Sequence, residues 1–377
     1  MPIKLLTIAM PQAKKIVISI NTSWNIFNFR LNLLKFFQQQ GYQIIAFAPE
    51  DAYSQKLIDA GIIFEPIVMD NKGNNPFKDI ALTKQYYSLL KKHRPDVVLF
   101  FTIKPNIYGT IASRLLNIPV INNVSGLGTT FIRENWISKI AQKLYKFAFK
   151  SSKKVFFQNN DDLLLFTKNK LVDVAKTGVL PGSGVDLKKF TITPLPEKLH
   201  FLFIGRLLYD KGIVEFLKAC EIIKSKYDVQ FSIIGKIEEE ANLGISLNYL
   251  EKYTKKSIVN YLGTTDNIKL EIEKASIIVL PSYREGTPRT LLEGGAMGRP
   301  LLTTNVPGCK DLVKEDYNGW LCEVKNAKDL AKTIEKAILT DREKLTEFGR
   351  NSRIFVESNY SEKFVFDLYN KAIKDIL

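Results

Sequence analysis

The chain has 377 residues, 45% of them apolar and 25% charged, which is the composition of a folded protein and excludes an intrinsically disordered one. No apolar run approaches the roughly 18 residues of a membrane-spanning helix, so we expect none. The net charge of +15 attracts nucleic acid, anionic lipid or phosphorylated ligands without selecting among them, and it is also compatible with lysines that are merely solvated.

The few cysteines and histidines limit redox and metal chemistry. Cys220, Cys309 and Cys322 are odd in number and widely spaced, which fits a reducing cytoplasm better than a disulfide framework. Neither they nor His93 and His200 have the spacing of a metal site, so we expect no metal cofactor. The first ten residues lack the cleavage pattern of a signal peptide. We therefore predict a cytoplasmic protein.

The first half of the chain alternates short apolar runs with amphipathic segments. Strands are predicted at 14–20, 42–49, 62–68, 96–102 and 119–125, and helices at 28–41, 77–93 and 106–116. Short β-branched runs between helices indicate a parallel sheet that is covered on both faces.

The same alternation starts again after the proline-containing segment TITPLPEK, residues 191–198. Strands are predicted at 199–205, 229–235, 258–263, 276–282 and 300–305. The length also favours two domains of about 150 to 200 residues. We predict one domain over 1–190 and another over 191–360, followed by a helix at 361–377. That helix carries Phe364, Phe366, Leu368 and Ile373, which we expect to pack on one of the domains.

The predicted fold class is α/β, with two Rossmann-like, doubly wound parallel-sheet domains that face a central cleft. Such sheets bind ligands at the carboxyl ends of their strands. One predicted strand ends in FIGRLLYDKG, which places Gly205, Arg206, Lys211 and Gly212 between strand and helix. The two cations suit phosphate oxygens, and glycine lets the backbone approach a ligand. The alternative is a solvated turn with chance basic residues.

A second turn lies in LPSYREGTPRTLLEGGAMG, residues 280–298. We predict that Thr287 caps the following helix and that Pro288 takes its first helical position. Free amides around Thr290 and Leu291, aided by the helix dipole, would then form an anion site.

Two acids flank this predicted anion site. Glu285 precedes the helix and is followed directly by Gly286. Glu293 lies about two turns along the helix. Carboxylates repel a diphosphate, so they should accept hydrogen bonds from sugar hydroxyls while the cations bind the phosphates. A nucleotide-sugar needs that division of roles. The alternative is two ordinary helix glutamates.

These motifs resemble the retaining glycosyltransferases of family 4, which have the GT-B fold. The most specific element is E-x7-E, Glu285 to Glu293, with GRLLYDKG about 80 residues upstream. Residues 180–190 resemble the family's N-G-V-D segment, with Ser183 where asparagine is common. By resemblance, Arg206 and Lys211 bind the donor diphosphate, Glu285 contacts the transferred sugar and Glu293 holds the ribose.

The resemblance extends to further turns. YLGTTD aligns with the segment whose backbone binds the nucleobase near Gly263, and NVPGCKDLV looks like the family's glycine turn after a strand. The residues and the resemblance together predict a donor site, in which Arg206, Lys211 and Glu285 are catalytic. Its members are Gly205, Arg206, Lys211, Gly263, Glu285, Gly286, Thr287, Pro288, Thr290, Leu291 and Glu293.

The first half resembles a narrower branch, on the segments 21–35, 100–113 and 122–131. That branch comprises bacterial enzymes that extend sugars on undecaprenyl diphosphate for O-antigens, capsules or protein glycans. Its donors are often UDP-linked N-acetylhexosamines. Many members have a histidine near residue 103, where this chain reads Thr-Ile-Lys-Pro. The remaining predicted acceptor-binding residues are Arg30, Lys104, Gly126 and Gly128.

The segment 131–154 offers a use for the basic charge. Trp136, Ile140, Leu144 and Phe147 recur at helical spacing, and basic residues accompany them: Arg133, Lys139, Lys143, Lys146, Lys150, Lys153 and Lys154. Such a helix can bind an anionic membrane surface, which suits a lipid-linked acceptor and predicts peripheral attachment to the inner face of the cytoplasmic membrane. The alternative is a helix that packs its apolar stripe on the core.

We therefore predict a retaining glycosyltransferase. It would move a sugar, GalNAc or GlcNAc in the first instance, from a UDP donor to an undecaprenyl-diphosphate-linked saccharide in bacterial surface polysaccharide or glycan biosynthesis. The alternative is a UDP-sugar 2-epimerase of GT-B-like fold, which needs no lipid acceptor. A nucleic-acid-binding protein is disfavoured because the chain lacks the aromatic clusters and basic stripe of known reader modules.

Overall fold

The apolar runs of the first half form a seven-stranded sheet. The computed structural model describes residues 13–70, 73, 75–127, 136–238 and 243–377. The strands are β1 (Lys15–Ser19), β2 (Gln43–Ala48), β3 (Ile63–Pro66), β4 (Val97–Phe101), β5 (Val120–Val124), β6 (Lys154–Phe157) and β7 (Thr177–Val179). Their order is β3-β2-β1-β4-β5-β6-β7, with β1 parallel to both β2 and β4. The chain thus winds outward from β1 to one edge and from β4 to the other, which defines a doubly wound sheet.

Helices alternate with these strands. They are α1 (Ser23–Gln39), α2 (Ser54–Asp59), α3 (Pro76–His93), α4 (Thr110–Leu115), α5 (Trp136–Phe149) and α6 (Asn160–Lys168). The predicted start of the first helix at residue 28 was wrong. The helix begins at Ser23 because the Thr22 side chain accepts a hydrogen bond from the Asn25 amide, 3.1 Å away, and so caps it.

The second half forms a six-stranded sheet. Its strands are β8 (His200–Ile204), β9 (Gln230–Ile234), β10 (Asn260–Tyr261), β11 (Ile277–Leu280), β12 (Leu301–Thr304) and β13 (Gly319–Cys322), in the order β10-β9-β8-β11-β12-β13. All neighbouring pairs are parallel. Its helices are α7 (Ile213–Lys224), α8 (Leu247–Thr254), α9 (Ile268–Glu273), α10 (Arg289–Ala296), α11 (Ala327–Leu339), α12 (Arg342–Tyr360) and α13 (Glu362–Lys374). The predicted α/β fold with two doubly wound parallel sheets is confirmed.

The core of the second sheet is aromatic where β8 and β9 adjoin. Phe201 and Phe231 stack with ring centroids 5.3 Å apart, and Phe216 of α7 packs edge-on against Phe231. All three side chains are buried. Burying a side chain of this size stabilises the fold by about 1.5–3 kcal/mol, so the strands form a rigid base for the loops at their carboxyl ends.

The described residues divide into two compact units. One consists of residues up to 123 together with 144–155 and 370–377, and the other of 124–143 and 156–369.

The segment predicted as one helix at 106–116 is two helices. A π-helix occupies Pro105–Gly109 and α4 follows it. Buried polar contacts hold the irregular turn: Asn106 Nδ2 donates to the Asn123 carbonyl at 2.8 Å, and Asn122 Nδ2 donates to Asn106 Oδ1 at 3.0 Å. Because every such buried group needs a partner, the network outweighs the regular helical pattern.

The last predicted helix was placed correctly, but its buried face was partly wrong. Val365, Tyr369 and Ile373 are buried, whereas Phe364 and Leu368 are 41% and 36% exposed. Three strands were also missed, because β6, β7 and β13 have only three or four residues each and show no periodicity.

Candidate active site

The turn after β8 places the first group of predicted residues. The Gly205 amide donates to the Ile234 carbonyl at 2.9 Å, which keeps the strand end in the sheet. A 3-10 turn over Tyr209–Lys211 then leads to Gly212, whose φ is +72°. A Cβ atom on Gly212 would lie 2.0 Å from the Pro281 carbonyl oxygen, so only glycine fits between this turn and the end of β11.

Lys211 and Glu285 form an ion pair at this strand end. Lys211 Nζ binds Glu285 Oε1, and the Ser282 hydroxyl donates to the same oxygen at 2.8 Å. The two side chains are only 20% and 14% exposed, so their attraction is stronger than in bulk water. The structure thus brings together the predicted cation and the predicted sugar-binding acid, although they are 74 positions apart in the sequence.

Two amide side chains hold the backbone of residues 285–287. Asn159 Nδ2 donates to the Gly286 carbonyl at 2.9 Å and to the Glu285 carbonyl at 3.2 Å. Gln158 Oε1 accepts from the Thr287 amide at 3.2 Å, and the Gln158 carbonyl accepts from the Thr287 hydroxyl at 2.8 Å. This loop is therefore fixed by residues that the sequence analysis did not single out.

The predicted cap of α10 was wrong. The Thr287 hydroxyl bonds Gln158 rather than the helix, and Pro288 is the N-cap residue, not the first helical one. The Leu291 amide donates to the Pro288 carbonyl at 3.1 Å and its side chain is buried, so that amide is not free as predicted. Thr290 is the second residue of α10, and its hydroxyl donates to the Ile204 carbonyl at 3.2 Å. This bond ties the start of α10 to the end of β8.

A buried ion pair continues the same anchoring. The Arg284 guanidinium binds Asp162 of α6, whose side chain is fully buried. Burial raises the pKa of Asp162, and the Arg284 charge opposes that rise. Asn159 caps α6 by accepting from the Asp162 amide at 2.8 Å. Residues 158–162, at the start of α6, thus make contacts with each of residues 284–287.

Glycines allow the loop to pack closely. Gly308 has a φ of +81°, and a Cβ atom there would lie 2.3 Å from the Glu285 carbonyl oxygen. A Cβ on Gly286 would lie 2.5 Å from Gln158 Oε1. The predicted acceptor-side Gly126 packs here too, since its Cβ would lie 3.2 Å from the Gly286 amide nitrogen. Any larger residue at these positions would displace the loop that carries Glu285.

Cys309 lies directly behind this loop. Burial, and after it the Glu285 carboxylate, raises the pKa of the thiol to about 12. The sulfur therefore stays protonated and is not a nucleophile at neutral pH.

Glu293 has a partner that the sequence analysis missed. Its side chain is nearly buried, and Oε1 accepts from Arg289 Nε at 2.8 Å. Arg289 Nη1 in turn donates to Ser183 Oγ at 2.9 Å and to the Gly184 carbonyl at 3.0 Å. The spacing of four residues between Arg289 and Glu293 could have predicted this ion pair, because side chains at i and i+4 lie on one helix face.

The remaining donor-site residues lie at neighbouring strand ends. Arg206 is exposed, and its Nη1 is 3.4 Å from Glu238 Oε1. Gly263 has a φ of +70°, and its carbonyl accepts from the Gly235 amide at 2.8 Å. Apart from its two chain neighbours, no described residue places an atom within 4 Å of where a Cβ would be. The backbone at Gly263 thus stays open to an approaching ligand.

The predicted acceptor cations lie in the first unit and are engaged there. Arg30 is buried, with its guanidinium 4.8 Å from the centre of the Phe101 ring. Lys104 Nζ is 2.7 Å from Asp79 Oδ1, and the Tyr108 hydroxyl donates to the other oxygen of Asp79. Gly128 lies outside the described residues. The acceptor role of these residues stays a prediction.

Helix α5 exposes three of the four residues of the predicted apolar stripe, whereas the fourth, Leu144, is half-buried. Trp136, Ile140 and Phe147 are 69%, 47% and 49% exposed, whereas Ala141 and Tyr145 are buried. Four lysines share the exposed face: Lys139, Lys143, Lys146 and Lys150. The predicted Arg133 lies outside the described residues. This face therefore combines large apolar side chains with positive charge.

Membrane-crossing helices and metal-binding clusters are both lacking among the residues that the structure describes. No helix there combines the length and the apolar character that crossing a membrane requires. Within the same ranges, no three His, Cys, Asp or Glu side chains lie close enough to hold a metal ion.

Comparison with known proteins identifies both halves of the chain. Residues 186–355 match the family model for glycosyl transferases group 1, and residues 15–159 match the model for glycosyl transferase 4-like domains. Among curated relatives, the N,N'-diacetylbacillosaminyl-diphospho-undecaprenol alpha-1,3-N-acetylgalactosaminyltransferase of Campylobacter jejuni is 28% identical and covers 93% of this chain and 97% of its own. The UDP-Gal:alpha-D-GlcNAc-diphosphoundecaprenol alpha-1,3-galactosyltransferase of Escherichia coli is 29% identical over 73% of this chain and 74% of its own.

A solved structure agrees with the fold. Anabaena HepE, in complex with UDP and glucose, superposes with a TM-score of 0.80 at 16% identity, over 96% of this chain and all of that one. Three observations agree: the two parallel sheets, the Lys211–Glu285 pair at neighbouring strand ends, and the two family models. The chain has the GT-B fold and is a glycosyltransferase enzyme, whose first half is glycosyl transferase 4-like and whose second half matches glycosyl transferases group 1.

Proposed function

We propose that the enzyme transfers an N-acetylhexosamine from a UDP donor to an undecaprenyl-diphosphate-linked saccharide, with retention of the anomeric configuration, in the assembly of a bacterial surface polysaccharide or glycan. The observation that carries the donor site is the Lys211–Glu285 pair beside the first turn of α10. A cation for phosphate and an acid for hydroxyl groups meet there at the carboxyl ends of parallel strands, where such sheets bind ligands.

The donor diphosphate has three sources of stabilisation in this proposal. Arg206 and Lys211 supply positive charge, and the first-turn amides of α10 add the helix dipole. The leaving diphosphate gains charge as its bond to the sugar breaks, so groups already in place lower the barrier without reorganising. Because these groups carry the charge stabilisation, the proposed reaction needs no metal ion.

The transfer itself follows from a same-face attack. The acceptor hydroxyl oxygen bonds to the anomeric carbon as the bond from that carbon to the diphosphate oxygen breaks. The leaving phosphate oxygen takes the hydroxyl proton, and attack on the face that the leaving group vacates retains the configuration. Glu285 is not assigned as a nucleophile, because Lys211 and Ser282 already bind its Oε1. In the proposal it accepts hydrogen bonds from the transferred sugar.

The relatives suggest the order in which substrates are tested. The Campylobacter jejuni relative is an N-acetylgalactosaminyltransferase and matches almost the full length, so UDP-GalNAc comes first. UDP-GlcNAc follows, and UDP-Gal is added because the Escherichia coli relative uses it. Both relatives act on sugars attached to diphospho-undecaprenol, which makes an undecaprenyl-diphosphate monosaccharide the acceptor to use.

The experiment incubates the purified protein with each donor and that acceptor and reads the product mass. We expect one added N-acetylhexosamine. Arg206→Ala and Glu285→Ala should nearly abolish turnover without changing the circular dichroism spectrum. Lys336→Ala is the control, because Lys336 only pairs with Glu315 and Asp316 on the surface. Wild-type activity in both site variants would refute the site, and isomerised sugar from donor alone would indicate a 2-epimerase.

We also propose that the exposed face of α5 binds the cytoplasmic surface of the inner membrane, where a lipid-linked acceptor resides. Exposed lysines are attracted to anionic headgroups, and Trp136, Ile140 and Phe147 can enter the boundary with the acyl chains. Attachment would be peripheral.

A further inference from the structure

We infer that Arg289 is a positioning residue that fixes the Glu293 carboxylate and thereby makes the enzyme select ribonucleotide over 2′-deoxyribonucleotide donors. The inference rests on the proposed donor site, in which Glu293 holds the ribose. It adds Arg289 and Ser183, which the sequence analysis did not assign to that site.

The first observation is the orientation of the carboxylate. Arg289 Nε donates to Glu293 Oε1 at 2.8 Å, and the two side chains are 20% and 10% exposed. An unpaired glutamate at the edge of a site rotates freely about its last bond. Within the described chain, the bond to Arg289 runs to Oε1, so Oε2 is left to accept from a sugar hydroxyl. A planar guanidinium suits this role because its donors have a fixed geometry.

The second observation is that Arg289 is itself held. Its Nη1 donates to Ser183 Oγ and to the Gly184 carbonyl. Gly184 cannot shift easily: its φ is +68°, and a Cβ there would lie 2.4 Å from Glu362 Cα. The next residue, Val185, donates its amide to the Tyr360 carbonyl at 2.9 Å. The arginine thus connects Glu293 to a rigid backbone segment.

The third observation concerns Ser183. The Ser183 hydroxyl accepts from Arg289 Nη1 at 2.9 Å. Ser183, Arg289 and Glu293 therefore form one continuous chain of side-chain hydrogen bonds.

The chemical consequence is selectivity for a vicinal diol. With Oε1 bound to Arg289, Oε2 held in one orientation can accept from the 2′ and 3′ hydroxyls together, and a carboxylate that accepts from the 2′ hydroxyl is the ribose contact of dinucleotide-binding sheets. Removing the 2′ hydroxyl then removes one hydrogen bond to a charged group, which corresponds to about 10- to 100-fold in affinity. A carboxylate free to rotate can follow the remaining hydroxyl and loses less.

The test compares UDP with 2′-deoxy-UDP by titration calorimetry, so that neither the sugar nor the acceptor needs to be known. Wild type should bind UDP about tenfold or more tightly than 2′-deoxy-UDP. Arg289→Lys keeps the positive charge but loses the planar set of guanidinium donors. The preference for UDP over 2′-deoxy-UDP should therefore fall to about threefold or less. Ser183→Ala, which leaves Arg289 in place, should lower the ratio by a smaller factor.

Arg353 provides a matched control. Its Nε also binds a glutamate four residues on, Glu357, and its Nη1 also binds two carbonyls, one of them Ala296 at the end of α10. Arg353→Lys therefore loosens the same helix without touching Glu293, and the ratio should stay as in wild type. Melting temperatures are measured for all variants. If Arg289→Lys does not fold, Arg289→Gln replaces it.

Four outcomes overturn the inference. If Arg289→Lys weakens both nucleotides equally, Arg289 acts on the diphosphate or on the fold and not through the ribose. If Glu293→Ala no longer prefers UDP over 2′-deoxy-UDP while Arg289→Lys keeps the wild-type preference, Glu293 binds the ribose but Arg289 does not position it. If wild type does not distinguish the two nucleotides, or if Glu293→Ala keeps the ratio, the proposed donor site fails as well.

Discussion

The contact between Lys211 and Glu285 couples two roles in one ion pair. Without a ligand, each charge compensates the other in a site where both side chains are largely buried. A diphosphate would compete with Glu285 for the lysine, and a sugar hydroxyl would compete with the lysine for Glu285. The pair therefore keeps both groups in position while limiting the cost of burying either charge alone.

Separate replacement of the two partners should give opposite patterns. Glu285→Gln should leave UDP affinity equal to or higher than that of wild type, because Lys211 is then free for the diphosphate. Transfer should fall about 100-fold or more, since the carboxylate is lost from the transition state. Lys211→Met should weaken UDP binding about tenfold. Calorimetry with UDP and initial rates with the identified donor measure these effects.

Lys336→Met is the control for loss of a paired lysine, because its partners Glu315 and Asp316 lie on the surface. It should change neither quantity. Equal weakening of UDP binding by Glu285→Gln and Lys211→Met would contradict the separate roles.

Asn159 should matter for turnover because it holds two loop carbonyls. In Asn159→Asp the helix cap survives, but a carboxylate oxygen replaces the amide donor and faces the carbonyls of Glu285 and Gly286. We expect transfer to fall at least as much as in Asn159→Ala, together with a loss of about 1–3 kcal/mol of folding free energy. Rates and denaturant unfolding measure the two effects.

The control for Asn159 is another N-cap asparagine followed by an aspartate three residues on. Asn326 caps α11 by accepting from the Asp329 amide at 3.0 Å. Asn326→Asp should leave transfer unchanged. Full activity in Asn159→Asp would show that the loop does not depend on this anchor.

At the scale of residues, the sequence predicted groups that carry a local signal. Lys211 and Glu285 stand at turns after apolar strands, and the structure brings them together. Asn159 carries no such signal, because 126 residues separate it from the Glu285 carbonyl that it binds. Thr287 looked like a helix cap from its neighbours alone, but its hydroxyl found a partner in Gln158, which only the tertiary fold supplies.

At the scale of elements, the hydrophobic pattern of the sequence predicted most strands and helices. It missed the helix boundaries that depend on side-chain hydrogen bonds. Strands such as β4 and β11 are continuous apolar runs buried in a parallel sheet, so their sequence is sufficient. The π-helix at 105–109 depends on buried asparagines from another strand, and the start of α1 depends on one threonine. Periodicity contains neither kind of information.

The start of β8 contains a titratable group inside the core. His200 is buried, with Nδ1 2.8 Å from the Lys274 carbonyl and Nε2 2.8 Å from Ser232 Oγ. Burial lowers the pKa of His200, and the bond to the Lys274 carbonyl opposes that shift. The folded protein therefore binds this proton less readily than the unfolded chain, whose histidine titrates near 6.5.

The pH dependence of stability follows from that difference. The stabilisation from neutral His200 is present above about pH 6.5 and is lost as the pH falls toward the lower folded pKa, because the unfolded state takes up the proton first. Denaturant unfolding at about pH 7.5 and 5.5 measures the loss. His200→Gln should be less stable than wild type at the higher pH but should lose less on acidification. An equal loss in both proteins would contradict the assignment to His200.

At the scale of the whole molecule, alternation of strand and helix was sufficient to predict two doubly wound sheets. The turns predicted to form a donor site lie at carboxyl ends of strands in the second sheet, where parallel sheets bind ligands, and their donor role stays a prediction. The net charge of +15 was less informative, since charge alone does not name a partner. Its distribution is more specific: α5 presents Lys139, Lys143 and Lys146 beside exposed Trp136 and Phe147.

That face should bind anionic vesicles. Each lysine near such a surface contributes about 1 kcal/mol, so replacing Lys139, Lys143, Lys146 and Lys150 by Gln should weaken binding more than tenfold. Trp136→Ser should also weaken it, through loss of apolar insertion. Co-sedimentation with phosphatidylglycerol vesicles measures binding, and neutral phosphatidylcholine vesicles should bind little. Binding should fall as salt is raised, because the charges are exposed.

Helix α8 and the turn after it supply the control, in which Lys252, Lys255 and Lys256 are replaced by Gln. This removes three positive charges, so it is compared with an α5 variant in which only Lys139, Lys143 and Lys146 are replaced. If charge density alone drives binding, the α8 variant should lose as much as the α5 variant. If the α5 face acts as a unit of lysines and inserted aromatic rings, the α8 variant should bind like wild type. Unchanged binding by the α5 variant would contradict the proposal, whereas selective loss would connect the basic charge of the chain to the place where a lipid-linked acceptor is found.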